Sequence, residues 1–208
     1  MREGGRSHWR SLAAGMALVA GLFLALQWRP GWADELVAPT WSDQLINPYG
    51  FEVRGGVFAH GVGSKEFGTV DINAEFVAPR FPFGRGQWWD FLVPRPQIGV
   101  MADVSSNRTS YVYAGGLWTI PLPYRFFTEI FFGGSLALNG TTVGDATHVA
   151  LGCNPLFHVG GSLGYSLTEH WHVMGTFDHI SNGNVVFGTN CDHNQGLNNW
   201  GVRAAYSF

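Results

Sequence analysis

From residue 51 to the end of the chain, apolar and polar side chains alternate over short segments, turn-forming residues separate the segments, and no helical period runs through them. Eight strands are predicted on this pattern, roughly over 51–61, 69–78, 97–104, 109–120, 125–138, 156–167, 170–182 and 198–208. Parity divides each into two faces. In the first, Phe51, Val53, Gly55, Val57 and Ala59 share one face, while Glu52, Arg54 and His60 share the other. The second repeats the division, with Val70, Ile72, Ala74 and Phe76 opposite Asp71, Asn73 and Glu75.

Alternation alone does not say which face meets water. A soluble barrel would turn the greasy face inward, and an outer-membrane barrel would turn it out. Three features favour the second. The segments have the length of a tilted transmembrane strand, about 10 residues. Aromatic residues gather near segment ends, at Trp118, Tyr124, Phe126, Trp171, Trp200 and Tyr206, in the manner of interfacial girdles. The last segment ends in Tyr206-Ser207-Phe208, similar to the terminal strands of bacterial outer-membrane proteins.

The expected fold is therefore all-β, an eight-stranded antiparallel transmembrane β-barrel of the bacterial outer membrane. A barrel of that size is filled by its own side chains and leaves no pore, which disfavours transport. Glu52, Arg54, Asp71, Glu75, Glu129 and Arg203 are the expected interior polar network. With both termini periplasmic, the long connections 139–155 and 183–197 lie outside the cell. The 79–96 connection, with Trp88, Trp89 and Phe91, is long yet falls on the periplasmic side, and reads as an interfacial segment.

Ahead of the barrel, Arg2, Arg6 and Arg10 precede an apolar run over about 12–26, and Gly31-Trp32-Ala33 offers a small-residue cleavage site. A signal peptide over 1–33 is expected, with a signal anchor as the alternative. Residues 34–50 then form a short periplasmic or plugging segment. Charged residues make up only 13% of the chain, net charge is −3, and no basic stripe appears, so nucleic acid is not an expected partner. Cys153 and Cys191 fall in the two long outer connections, where an exported chain would join them in a disulfide. Zinc is the rival, since His148 and His193 lie near them in sequence, but paired C-x-x-C spacing is missing.

The seventh segment carries the candidate chemistry. Trp171, Val173, Gly175, Phe177, His179 and Ser181 share its lipid side, and Asn198 occupies the same side and the same outer end of the eighth segment. Polar groups are costly there. Residues two apart on a strand sit about 6–7 Å apart on one face, so an imidazole could take the hydroxyl proton of Ser181 if a third group held its other nitrogen. Asn182 and Asn194 could supply amide donors to an oxyanion. The competing reading is that His179 and Ser181 simply contact lipid headgroups.

His179-Ile180-Ser181-Asn182, followed by Asn194-Gln195-Gly196-Leu197-Asn198, resembles the acyloxyacyl hydrolase or PagL-type lipid A 3-O-deacylase family. That family's pattern is His-x-Ser-Asn on the penultimate strand, then Asn-x-Gly-x-acid leading into the last. The resemblance implies His179 as general base, Ser181 as nucleophile and Asn194 as oxyanion donor. It also implies lipid A or lipopolysaccharide among outer-membrane lipid as the substrate, ester hydrolysis as the reaction, and no metal or cofactor. A homodimer is left open. Asn198 stands where the family carries its acid; an amide oxygen can orient the imidazole but cannot neutralise its charge. Asp192 could stand in, whereas Asp178 faces inward by parity. The rival of the esterase is a non-catalytic barrel with an envelope-structural or adhesion role.

Two further patterns carry less. Gly160-Gly161-Ser162-Leu163-Gly164 matches the nucleophile-elbow spacing but lies within a strand, with Ser162 turned inward. His170 and His172 share the interior face by parity, as a possible metal pair or as part of the polar network.

Overall fold

A computed structural model describes residues 45–208 apart from 106, 141–142, 184, 187–188 and 192, and gives only the backbone of 185, 186, 189 and 190. The expected signal peptide, residues 34–44 and Asp192 lie outside the described residues. Each predicted segment forms a strand: β1 (Glu52–Ala59), β2 (Val70–Val77), β3 (Arg95–Asp103), β4 (Tyr111–Pro121), β5 (Phe126–Ala137), β6 (Leu156–Ser166), β7 (Trp171–Ser181) and, last in the chain, β10 (Leu197–Ser207). A short antiparallel pairing that periodicity did not reveal, β8 (Val185–Val186) with β9 (Thr189–Asn190), lies within the last outer connection.

Each long strand pairs antiparallel with its sequence neighbour, and β10 pairs with both β7 and β1, so the sheet closes and has no free edge. Register obeys the predicted parity. Val57, Ile72, Ile130, Leu163 and Val202 stand on the outer wall at 48–65% exposure, while Glu52, Asp71, Arg95 and Asp178 are fully enclosed. A soluble barrel would need the opposite arrangement. The greasy face is the outer one, as the membrane reading requires.

Inside, charge is matched to charge. Arg54 donates to both carboxylate oxygens of Glu129 at 2.8 Å, and contacts Glu52 and Glu75. Arg203 donates to Asn73 at 2.7 Å, lies within 4 Å of Glu75 and Asp178, and covers the Phe58 ring. Arg95 reaches Glu52. All six residues expected in the interior network are buried. Removing one partner of such a pair would strand a buried charge, at a cost of about 3–5 kcal/mol. Tyr113, His158 and Phe131 stack beside this network, so side chains fill the lumen.

The two ends close differently. At the end where β1 begins and β10 finishes, Ile46 packs with Phe127, Met174 and Ala205. At the other end, Val149 and Leu151 from the β5–β6 connection descend onto Phe58, Tyr111, Ile180 and Leu197. Glu66 of the β1–β2 connection binds this cap together. Its carboxylate accepts from the Thr109 N–H and hydroxyl and from the Val149 N–H at 2.8–3.0 Å, and it meets His60 Nε2 at 2.9 Å. One side chain thus ties three outer connections.

Candidate active site

The site is built by the β7–β10 ladder. Asn198 pairs directly with His179, and Trp200 with Phe177. Outward parity brings His179 and Asn198 side by side on the lipid-facing wall, both half-buried, and Nδ1 of His179 lies 2.6 Å from Oδ1 of Asn198. An amide oxygen only accepts, so Nδ1 is the donor of this bond, and in the neutral form of the imidazole the lone pair then lies on Nε2. That tautomer is the one a general base requires. Below the pair, the rings of Phe177 and Trp200 stand 4.7 Å apart and form an apolar step toward the hydrocarbon.

Ser181 follows His179 on the same face, at the outer end of β7, and is half-buried. Among the described residues no hydrogen bond joins its hydroxyl to the ring. Contacts of this type often tighten only when a substrate is engaged.

Glycine sets the other side of the imidazole. Gly196 has φ +65°, and a Cβ there would strike His179 Cε1 at 2.9 Å and approach Nε2 to 3.5 Å. The backbone before β10 therefore passes against the ring edge, which only glycine permits. Sequence reasoning gave this residue no role, although it occupies the glycine of the Asn-x-Gly pattern.

The asparagines differ in use. Asn182 is buried and its amide nitrogen donates to the carbonyls of Leu151 at 2.6 Å and His193 at 2.5 Å, so both hydrogens are engaged on loop backbone rather than turned to a substrate. Gly152, at φ +71°, lets the β5–β6 connection pass close over this amide. Asn194 accepts from the Asn182 N–H through Oδ1 at 3.2 Å, which fixes its plane with Nδ2 on the opposite side. Gln195 and Ala150 exchange two further bonds, and the expected Cys153–Cys191 disulfide joins the same two connections, with Cα atoms 5.5 Å apart. The zinc alternative falls with it.

Other candidates separate from the site. Ser162 is interior and bonds Thr176 at 2.9 Å, with no strand-to-helix turn to expose it. Asp178 is interior as predicted, held by Tyr111, His158 and Arg203. His170 corrects the parity reading: it lies exposed in the turn before β7 and stacks on Tyr206, because the strand begins only at Trp171. It therefore does not share the lumen with His172.

Residues 86–207 match the family described as Lipid A 3-O-deacylase (PagL), which is more than half of the chain. The chain belongs to the PagL lipid A 3-O-deacylase family. The acyloxyacyl hydrolases also considered from the sequence are a different family, and this match does not extend to them. Among solved structures, the chain is similar to the outer-membrane enzyme PagL, with 15% identity over 74% of this chain and 97% of that one and a TM-score of 0.49. It is also similar to a de novo designed transmembrane β-barrel, with 14% identity over 78% and 98% and a TM-score of 0.46. A third is the N-terminal barrel of Pseudomonas aeruginosa OprF, with 9% identity over 77% and 98% and a TM-score of 0.46. No curated protein matches the sequence. Family and fold together make this PagL-family chain a protein of the bacterial outer membrane.

Proposed function

We propose that this protein removes the 3-O-linked 3-hydroxyacyl chain of lipid A, with Ser181 as nucleophile, His179 as general base, Asn198 as the group that orients it and Asn194 as oxyanion donor. One observation carries the reading: the His179–Asn198 hydrogen bond, which holds the basic nitrogen ready on the lipid-facing wall at the outer rim. In the first step Ser181 Oγ attacks the ester carbonyl carbon while its proton passes to His179 Nε2. The tetrahedral oxyanion is met by Asn194 Nδ2. Collapse expels the glucosamine 3-oxygen, which takes the proton back from Nε2. Water, deprotonated by the same nitrogen, then attacks the acyl-serine; collapse breaks the ester bond to Ser181 Oγ, which takes the proton back from Nε2, and the 3-hydroxy acid leaves without a metal or cofactor entering the scheme.

A shallow groove of about 760 Å³ on the outer wall supports this assignment. Gly55, Val57, Leu163, Val173, Gly175 and Val202 line it. Gly175 lies four residues below His179 on the same outward row of β7, roughly 13 Å along the strand. An acyl chain leaving the ester at Ser181 would run down this row.

A second reading, a PagL-family barrel without hydrolysis, draws on Asn198, which cannot offset the imidazolium charge as a carboxylate would. Mass spectra of lipid A from cells expressing the wild type or Ser181→Ala distinguish the two. Loss of one hydroxyacyl chain with the wild type alone is expected; identical spectra from correctly assembled proteins would overturn the esterase.

A further inference from the structure

We propose that the β2–β3 connection is a second membrane-binding surface, an aromatic anchor seated in the phospholipid headgroup region of the periplasmic leaflet. It lies at the end opposite His179. Phe81, Phe83, Trp88, Phe91 and Leu92 stand on its outside, and Trp88 is 82% exposed. A patch of this kind marks a binding surface rather than an ordinary loop.

The segment is folded, not slack. Two 3-10 turns, Pro82–Gly84 and Asp90–Leu92, give it internal backbone bonds, and Gly84 is so enclosed that a Cβ would meet Val93 at 2.8 Å. Its inner side is polar and pinned to the barrel. Arg80 pairs with Asp90 at 2.9 Å and donates to the Thr119 carbonyl, Tyr49 donates to Asp90 at 2.6 Å, and Arg85 covers the Tyr49 ring. With the polar groups engaged inward, the apolar side chains are held outward.

Continuity with the lipid-facing wall identifies the occupant as lipid. β3 begins at Arg95, opposite Leu117, whereas β4 continues to Pro121, so the wall is one strand short beside the end of β4. The connection stands in that gap. Trp118, on the outer wall of β4, donates its indole N–H to the Leu92 carbonyl at 2.8 Å, and a Cβ on Gly116 would meet Pro94 at 2.9 Å. Trp118 and the exposed Tyr124, Phe126 and Trp171 form the aromatic girdle at this end, and the connection extends it past the rim. Aromatic rings with polar partners on one side are suited to the headgroup level, where one side is apolar and the other wet. Such an anchor would fix the depth of the barrel and hold its other rim level with the outer leaflet.

The test uses the full chain, labelled with 5-fluorotryptophan and folded into phosphatidylethanolamine–phosphatidylglycerol vesicles. Trp88→Phe assigns the Trp88 resonance, with Trp88→Tyr as an alternative if the first fails to assemble. A nitroxide on the lipid headgroup or upper acyl chain should broaden this resonance severalfold, and a water-soluble nickel chelate should leave it nearly unchanged. Broadening by the nickel chelate alone would place Trp88 in water and overturn the proposal. Indifference to both probes would indicate cover by protein, a second copy included, and would overturn it equally.

Discussion

Nδ1 of His179 and Oδ1 of Asn198 lie 2.6 Å apart across directly paired positions of β7 and β10. The amide thus supplies orientation and the correct tautomer, and what it lacks is charge. A charge-assisted hydrogen bond is roughly twice as strong as a neutral one, so Asn198→Glu should raise kcat by about ten- to thirtyfold. Asn198→Leu, which removes the acceptor, should abolish most turnover. Hydrolysis of a 3-hydroxyacyl glucosamine ester by the purified variants measures both, and an unchanged rate in Asn198→Glu would remove Asn198 from the mechanism.

Gly196→Ala should damage activity more than assembly. The left-handed backbone at φ +65° costs a non-glycine residue about 1–2 kcal/mol. The new methyl must also displace the His179 ring it meets at 2.9 Å. A normal heat-modifiable gel shift with a strongly reduced kcat is the expected pair of results.

A Cβ on Gly175 would touch nothing within 4 Å, so a larger side chain can enter the groove without distorting the barrel. Gly175→Leu is expected to change stability by no more than about 0.5 kcal/mol. It should lower kcat/KM for long-chain 3-hydroxyacyl esters and spare short ones. Equal losses for both lengths would show that the chain does not follow this row.

The outer cap should weaken in alkali. Burial alone would lower the His60 pKa, but hydrogen bonds with Asp71 and Glu66, and the charge of both, overcome it and raise it to about 9. Because this exceeds the unfolded value of about 6.5, the contribution of His60 to stability is complete below that value. It then declines as pH rises and is lost through about 9. Unfolding midpoints recorded across this range should fall for the wild type and flatten for His60→Gln.

The Cys153–Cys191 bridge spans 38 residues of sequence. Cross-links of this span contribute about 2–4 kcal/mol, and here the benefit goes to the two connections that hold Asn182 and Asn194. Replacing both cysteines by serine should leave the barrel assembled, speed hydrogen exchange near Leu151 and His193, and reduce turnover.

Much of this was legible in the sequence because a two-residue period converts position directly into facing. The outward row ending in His179 and Ser181, the interior carboxylates and arginines, and the disulfide all follow from parity and from the placement of connections. Other features depend on contacts that no local pattern encodes. Glu66 is a lone acid in a loop, and its donors come from Thr109 and Val149, far along the chain. Gly196 matters through a close approach to a ring, and the engagement of Asn182 depends on carbonyls of two separate loops. His170 was misplaced because parity holds only while the strand lasts, and β7 starts one residue later.

The pairing of Asn198 with His179 also has a consequence for biogenesis. The register of β10 against β7 is what brings the two residues together. The proposed base and its orienting amide therefore meet only once that ladder has formed, and a chain in which these two strands are still unpaired would present no oriented imidazole to an ester.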